Sequence, residues 1–369
     1  MHGTYMRRAL SLAPLGMGRT SPNPMVGCVI VKDGRIIGEG WHQKHGSPHA
    51  EIEALNDAKT HSEDVRGSTV YVTLEPCSHY GKTPPCANRL VSEGVSEVIV
   101  AMRDPNPKVN GKGIEILREA GIKVTELHRE FEEAAKFLNR GFVSVHTRGR
   151  PFVTLKAAMS LDGRLCLSNG SSKWITGILS RTEAHRIRSE NDAVLVGVNT
   201  VLRDDPELTV RHVKGINPLR VILDAGLSTP AAAKVIGHDG KCLILTSEGA
   251  PRRNEEALRA SGANVSRLPC NDGRIDLHEV LKCLAGMGVL TLMVEGGPAV
   301  LSAFIREGLA DYGAFFISPR ILGEGQAITL GLNFPEVRDA FRLEGVRSKI
   351  LGDDIMTEGR IIRECSQDL

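Results

Sequence analysis

Short apolar segments of strand length alternate with helix-like segments along this chain, and the alternation stops and restarts once. Such a pattern demands sheets covered by helices, an α/β architecture. In the first half, Met25 to Val31 reads as a strand, Asp33-Gly34 as a hairpin turn and Arg35 to Gly40 as the antiparallel return. Helices expected at His49 to Ala58, Pro84 to Glu93 and Gly113 to Ala120 alternate with strands at Thr69 to Leu74, Glu97 to Met102 and Ile122 to Leu127. A helix at Glu130 to Asn139 precedes Thr147-Arg148-Gly149-Arg150-Pro151, a polar stretch punctuated by Gly and Pro of the kind that separates domains. Strand-like runs resume at Phe152 to Met159, Ala193 to Val198, Arg220 to Asp224, Cys242 to Thr246 and Leu290 to Glu295. At roughly 150 residues per domain, the chain's length needs more than one core. The expected domains are 1–146 and 150–369, unrelated by any internal repeat.

Composition narrows the function. With 41% hydrophobic and 24% charged residues the chain is neither disordered nor fibrous. A formal charge of +2, from 46 basic and 44 acidic residues, provides no field for nucleic acid or an anionic membrane. No apolar run approaches the ~20 residues of a membrane span. Met1 to Leu15 lacks a continuous apolar region and a clear cleavage site, so it reads as a helix of the mature protein. Eight irregularly spread cysteines do not form a disulfide scaffold and suit a reducing, cytoplasmic compartment. Small molecules are the expected partners.

The sharpest chemistry is His49-Ala50-Glu51 followed by Pro76-Cys77 and Pro85-Cys86, with eight residues between the two cysteines. One imidazole and two thiolates give three ligands to a tetrahedral Zn²⁺ and leave the fourth position to water, as in catalytic sites. Zinc lowers the pKa of water to about 7, and a neighbouring carboxylate can shuttle protons. Glu51, in the same first helical turn as His49, suits that task, and a helix start at Cys86 favours its thiolate. Singly these residues read as an ordinary histidine and buried thiols; together they point to zinc. A structural zinc would want a fourth protein ligand, for which His45 and His79 are the candidates.

This half resembles the zinc-dependent cytidine deaminase superfamily, whose H-x-E and P-C-x-x-C signature binds zinc through His and two Cys, with Glu as general acid and base. The longer spacing between cysteines is a departure. The intervening Ser78-His79-Tyr80-Gly81-Lys82-Thr83-Pro84-Pro85, with Asn23-Pro24-Met25-Val26-Gly27 and Asp104-Pro105-Asn106-Pro107, is similar to the pyrimidine deaminase of riboflavin biosynthesis. The resemblance implies a cytidine-deaminase-like α/β/α domain with zinc on His49, Cys77 and Cys86, Glu51 as catalytic residue, and substrate contacts from Asn23, His42, Lys82 and Asn106. Met25 stands where the family often has a polar residue.

In the second half, Val294-Glu295-Gly296-Gly297-Pro298 is a strand end whose glycines open a helix from Ala299 to Glu307, where backbone N–H groups can cradle a phosphate. No G-x-G-x-x-G fingerprint is present, which argues against a conventional Rossmann domain. The runs Lys156 to Arg164, Ser172 to Thr176, Asn199 to Pro206, Leu208 to Arg211 and Glu295 to Pro298 resemble, in this order, the riboflavin-pathway reductase. The whole chain is thereby identified as a member of the bifunctional riboflavin biosynthesis deaminase-reductase family. The resemblance implies a dihydrofolate-reductase-like α/β domain that uses NADPH. It assigns the cofactor to Ala158, Trp174, Thr200, Asp204 and Gly297, Pro298, Ala299, Val300, Leu301, Ser302 and Ala303. It assigns the phosphoribosylaminopyrimidine substrate to Ser172, Arg188, Leu208, Arg211 and Glu295. Without it, Arg188 reads as a solvated helix charge and Trp174 as a packed core aromatic. A homodimer is a family expectation only.

Two rival readings compete. One is a deaminase of nucleic-acid bases, opposed by the balanced charge and the attached second half. The other is a non-catalytic zinc-stabilised binding protein, opposed by the retained Glu51.

Overall fold

The computed structural model describes residues 2–78, 84–107 and 109–363, and the chain divides into two compact units, Met1–Arg150 and Pro151–Leu369.

The first unit runs α1 (His2–Leu12), β1 (Gly27–Lys32), β2 (Arg35–Trp41), α2 (Ala50–Thr60), β3 (Thr69–Val72), α3 (Cys86–Glu93), β4 (Glu97–Val100), α4 (Lys112–Glu119), β5 (Lys123–Glu126), α5 (Glu130–Leu138) and α6 (Arg140–Arg148). Its five strands lie in the order β2-β1-β3-β4-β5. Strand β1 is antiparallel to both neighbours, and β3, β4 and β5 are parallel. Asp33 and Gly34 both take positive φ, 52° and 76°, which a tight hairpin turn with right-handed strand twist requires. Cys28, Val29, Ile30 and Val31 are all buried because helices cover both faces of β1.

Close approach decides how those helices sit. A Cβ on Gly27 would lie 2.0 Å from the Ala9 carbonyl of α1. On the other face, a Cβ on Gly38 would lie 2.4 Å from the Ala54 carbonyl of α2, and one on Gly40 2.3 Å from the Ala54 nitrogen. The buried stripe Ala50, Ala54 and Ala58 completes the contact, so α2 rests almost on the strand backbone.

The second unit runs β6 (Phe152–Met159), β7 (Arg164–Leu167), α7 (Ile178–Ser189), β8 (Ala193–Gly197), α8 (Val198–Asp204), β9 (Leu219–Leu223), β10 (Cys242–Ser247), α9 (Arg252–Ala260), β11 (Asn264–Leu268), β12 (Cys270–Asn271), β13 (Arg274–Ile275), α10 (Leu277–Gly286), β14 (Thr291–Val294), α11 (Pro298–Arg306), β15 (Tyr312–Ile317), β16 (Gly325–Ala327), β17 (Phe341–Leu351) and β18 (Asp354–Arg363). Nine strands form one sheet in the order β11-β10-β9-β8-β14-β6-β15-β18-β17. From β11 to β15 neighbours are parallel, and β15, β18 and β17 pair antiparallel. Val153, Leu155 and Ala157 enter the core on one face, with Leu281, Leu292 and Phe304. Ala158 on the other face packs with Ala184, Ile187 and Phe316.

The chain leaves β8 through α8 toward one edge and leaves β14 through α11 toward the other. Ligands in open α/β sheets bind at such a reversal, outside the carboxyl ends of the strands.

The expected linker is partly helical. Thr147 and Arg148 close α6, an unforeseen helix, and Gly149 ends it with φ 69°. The Gly-Arg-Pro punctuation thus marks a left-handed helix terminus.

Candidate functional site

In the first unit, His49 caps α2 with an extended backbone and its carbonyl accepts the first helical N–H, from Glu53. Cys77 follows β3, and Cys86 begins α3. His49 Nδ1 lies 3.6 Å from Cys77 Sγ and 3.4 Å from Cys86 Sγ. Zinc bonds of about 2.05 Å to nitrogen and 2.3 Å to sulfur, at a tetrahedral angle, put N and S about 3.5 Å apart. The donor set therefore fits Zn²⁺. Among the described residues this is the one such cluster, and His45 is outside it.

The electrostatics suit the same purpose. The Cys86 backbone N–H, at the opening of α3, donates to Cys77 Sγ at 3.3 Å. A hydrogen bond from the Cys86 thiol, with further help from His49, holds Cys77 down at about 4. The Cys77 hydrogen bond in turn raises His49 to about 9, and Cys86, which keeps its proton, is pushed up. A cation among these groups reverses that order and deprotonates thiols. Glu51 is 3% exposed, and burial, aided by the Cys77 charge, raises it to about 7.

Around this centre the structure places Asn23 and His42 together: Asn23 Nδ2 is 3.1 Å from His42 Nε2, and His42 Nδ1 meets the Pro48 carbonyl at 3.0 Å. Buried His42 is pushed below its ordinary pKa by desolvation. With Nδ1–H donating to Pro48, Nε2 accepts from Asn23, and the amide oxygen of Asn23 is left to receive a donor. Asn106 follows Asp104, whose carboxylate accepts the Asn106 N–H at 2.8 Å. Lys82 lies outside the described residues.

Two residues the sequence did not single out organise these segments. The buried Glu75 carboxylate accepts backbone N–H groups from Gly113 (2.9 Å) and Ile114 (3.4 Å) on one oxygen, and from Gly111 (2.9 Å) and Asp104 (3.2 Å) on the other. It thus caps α4 and anchors the Asn106 loop beside the Cys77 segment. Asn139, 3% exposed at the α5–α6 junction, accepts the Met25 N–H at 2.8 Å and donates to the Met25 carbonyl at 2.9 Å. Nothing in the local sequence marks Asn139, and the one signal for Glu75 is its place beside Pro76-Cys77.

In the second unit, the expected residues gather at the carboxyl edge of the parallel strands. Lys173 Nζ donates to the Asp204 carbonyl at 3.3 Å, bringing the Ser172 to Trp174 segment to the end of α8. Trp174 is 63% exposed, with the Arg181 guanidinium 4.4 Å from its ring centroid, so it is not a core aromatic. A Cβ on Gly197 would be 3.0 Å from Val300, so the start of α8, the helix that carries Thr200, lies against the first turn of α11. Within α11, Gly297, Pro298, Ala299 and Val300 form the helix entry. Leu301 and Ser302 are buried, and the Ser302 hydroxyl accepts the Leu330 N–H. Ala158 and Ala303 are half-buried.

Arg188 is neither a solvated charge nor an open phosphate hook. Its Nε and Nη2 grip both Glu295 oxygens at 2.8 and 3.0 Å, and Nη1 donates to the Thr209 carbonyl at 2.7 Å. Lys156 Nζ is 3.7 Å from the same carboxylate. Burial pushes Glu295 up, but the charges of Arg188 and Lys156 outweigh it and hold the group at about 2. Burial lowers Lys156. Arg211 is different: its side chain is 46% exposed, pairing at 3.0 Å with Glu207. Leu208 is buried with φ 54°.

Residues 1–102 match the model of the cytidine and deoxycytidylate deaminase zinc-binding region, and residues 151–357 that of the RibD C-terminal domain. The riboflavin biosynthesis protein RibD of Aquifex aeolicus is 44% identical over 355 residues, 95% of this chain and 96% of the relative. RibD of Bacillus amyloliquefaciens is 42% identical, covering 96% of this chain and 95% of that one. Among solved structures, the Thermotoga maritima diaminohydroxyphosphoribosylaminopyrimidine deaminase/5-amino-6-(5-phosphoribosylamino)uracil reductase matches with TM-score 0.87, 39% identity and coverage of 98% of this chain and 99% of that chain. Acinetobacter baumannii RibD matches with TM-score 0.88 and 38% identity, at the same coverage. The zinc-binding deaminase region, the reductase domain and full-length relatives agree: the chain belongs to the RibD family of riboflavin biosynthesis, a zinc-dependent deaminase joined to an NADPH-dependent reductase.

Proposed function

We propose that His49, Cys77 and Cys86 hold the zinc and that Glu51 moves the proton in hydrolysis of the 2-amino group of 2,5-diamino-6-(5-phosphoribosylamino)pyrimidin-4(3H)-one. The convergence of three donor atoms at tetrahedral spacing beside a buried, pKa-raised carboxylate carries this reading. Zinc supplies the Lewis acidity that makes water a competent nucleophile near neutral pH. Glu51, with a pKa of about 7, is suited to take a proton from water and return it to the departing amine as the C–N bond breaks. Asn23, oriented by His42, accepts a donor of the pyrimidine edge, Asn106 is a further substrate contact, and on the family resemblance Lys82 is assigned to the phosphate.

The second unit reduces the resulting 5-amino-6-(5-phosphoribosylamino)uracil. Bound NADPH would supply the hydride for C1′ of the ribose, and a proton completes its opening to ribityl. Ala158, Trp174, Thr200, Asp204 and the entry of α11 hold the cofactor in this reading. Ser172, Leu208, Arg211 and Glu295 hold the substrate, with Arg211 on the 5′-phosphate. Arg188 keeps Glu295 ionised and aimed. Free thiols, shown by all seven described cysteines, suit the reducing cytoplasm as the compartment, and a homodimer is proposed on family resemblance alone.

The test supplies the diaminopyrimidine phosphate with and without NADPH, following ammonia release and loss of nicotinamide absorbance. The parent releases ammonia in both cases and oxidises NADPH only after deamination. Glu51→Gln retains one zinc per chain and loses ammonia release by about 10²- to 10⁴-fold, while reduction of supplied uracil substrate is unchanged. Near-normal deamination by Glu51→Gln would remove Glu51 from the reaction.

A further inference from the structure

Helix α7 presents one buried histidine to the segment that carries Arg211. His185, 6% exposed, accepts the Arg211 backbone N–H on Nδ1 at 3.0 Å, and its ring meets His212 edge to face with centroids 4.6 Å apart. Three residues further along the helix, Arg188 holds the Thr209 carbonyl, and between them Asn217 Oδ1 accepts the Val210 N–H at 2.8 Å. Three consecutive residues are therefore held by side chains through their backbones. This occurs directly after Leu208, whose φ of 54° is unfavourable for a leucine. The Arg211 side chain stays 46% exposed, and its guanidinium pairs at the surface with Glu207 and the Thr209 hydroxyl, each at 3.0 Å, so its origin is fixed while its head is held only by solvent-facing partners that a phosphate can displace.

We infer that His185 is a positioning residue of the reductase: its unprotonated Nδ1 fixes the Arg211 backbone where the guanidinium can meet the substrate's 5′-phosphate. The inference rests on the proposed placement of that phosphate on Arg211. Only a proton-free Nδ1 can accept an N–H, which requires a neutral imidazole with its hydrogen on Nε2. Burial first, then the charges of Arg188, His212 and Arg211, lower the His185 pKa to about 4 against the opposing Glu295. The acceptor state therefore persists at neutral pH.

The experiment compares His185→Phe, His185→Asn and Arg211→Ala in the full, zinc-loaded chain, by steady-state kinetics on the phosphorylated and dephosphorylated uracil substrates. His185→Phe keeps an aromatic ring against His212 but has no acceptor. It should raise KM for the phosphorylated substrate about tenfold, with kcat within threefold, NADPH KM within twofold and KM for the dephosphorylated substrate unchanged. His185→Asn, whose oxygen can take the place of Nδ1, should return KM to within threefold of the parent. Parallel rises for both substrates, loss of kcat or NADPH affinity, or failure of His185→Asn to rescue would overturn the inference and leave a packing role. If Arg211→Ala discriminates against the dephosphorylated substrate as strongly as the parent, the phosphate placement itself falls. If Arg211→Ala loses that discrimination and His185→Phe keeps it, only the inference falls.

Discussion

Replacing Glu75 by Gln tests whether one buried carboxylate holds the substrate loop of the deaminase to its metal segment. Each Glu75 oxygen accepts two backbone N–H groups, Gly113 with Ile114 and Gly111 with Asp104. A glutamine retains one oxygen and turns an NH₂ toward the other pair, so two buried donors lose their acceptor whichever way the amide is flipped. Each such loss costs about 1–3 kcal/mol, so the substitution costs about 2–6 kcal/mol, concentrated at the opening of α4 and in the Asp104 to Asn110 loop. At about 1.4 kcal/mol per factor of ten, the lower bound is roughly a thirtyfold loss of amide protection. Hydrogen exchange on the zinc-loaded chain, read over residues 104–114, should show that loss while residues of β1 keep their parent rates. KM for the diaminopyrimidine should rise with it, because Asn106 lies on the loosened loop. Protection of residues 104–114 within threefold of the parent would refute the reasoning.

Removal of zinc with a chelator should abolish ammonia release and leave NADPH oxidation on supplied uracil substrate within twofold, and readdition of zinc should restore deamination. Glu295, at about 2 in the fold against an ordinary 4.5, contributes stability that is present above about pH 4.5 and lost as pH falls toward 2. Denaturant unfolding followed from pH 7 to 3 should show this decline, and Arg188→Met, which leaves Glu295 with only Lys156, should destabilise by about 3–5 kcal/mol at pH 7. A fragment of residues 1–150 should bind zinc and release ammonia without NADPH. One ending at residue 138 lacks Asn139 and α6 and should lose deamination, by the ammonia assay, more than tenfold.

The candidate metal cluster of His49, Cys77 and Cys86 was legible because a histidine, two Pro-Cys pairs and a nearby glutamate form a combination with few other uses. Most strands of the two parallel cores were legible as apolar runs, but the edge strand β11 (Asn264–Leu268) and the β15–β18–β17 edge were not. Much of β17 is exposed and charged, without the apolar alternation of a half-buried strand. Helix α6 was hidden by Gly141, by β-branched Val143, Val145 and Thr147, and by the Gly-Arg-Pro run behind it. Glu75, Asn139 and His185 act on backbone atoms 26 to 114 residues away, so their partners exist only in the fold. The resemblance assigns Arg188 to the substrate, but nothing in its sequence context signals the Glu295 carboxylate that it grips in the fold.

The two glycines beneath α2 have a consequence for strand alignment. Glycine-rich strands ordinarily slip, since no side chain marks one pairing from the next. In β2 the opposite holds. A shift of one residue against β1 would turn Glu39, with Ile37 or Trp41, toward a helix backbone that leaves no room for even a Cβ. Every shifted alignment of odd length is excluded by collision rather than by lost pairing energy. The height at which His49 and Glu51 are carried is therefore written into β2 as two absent side chains.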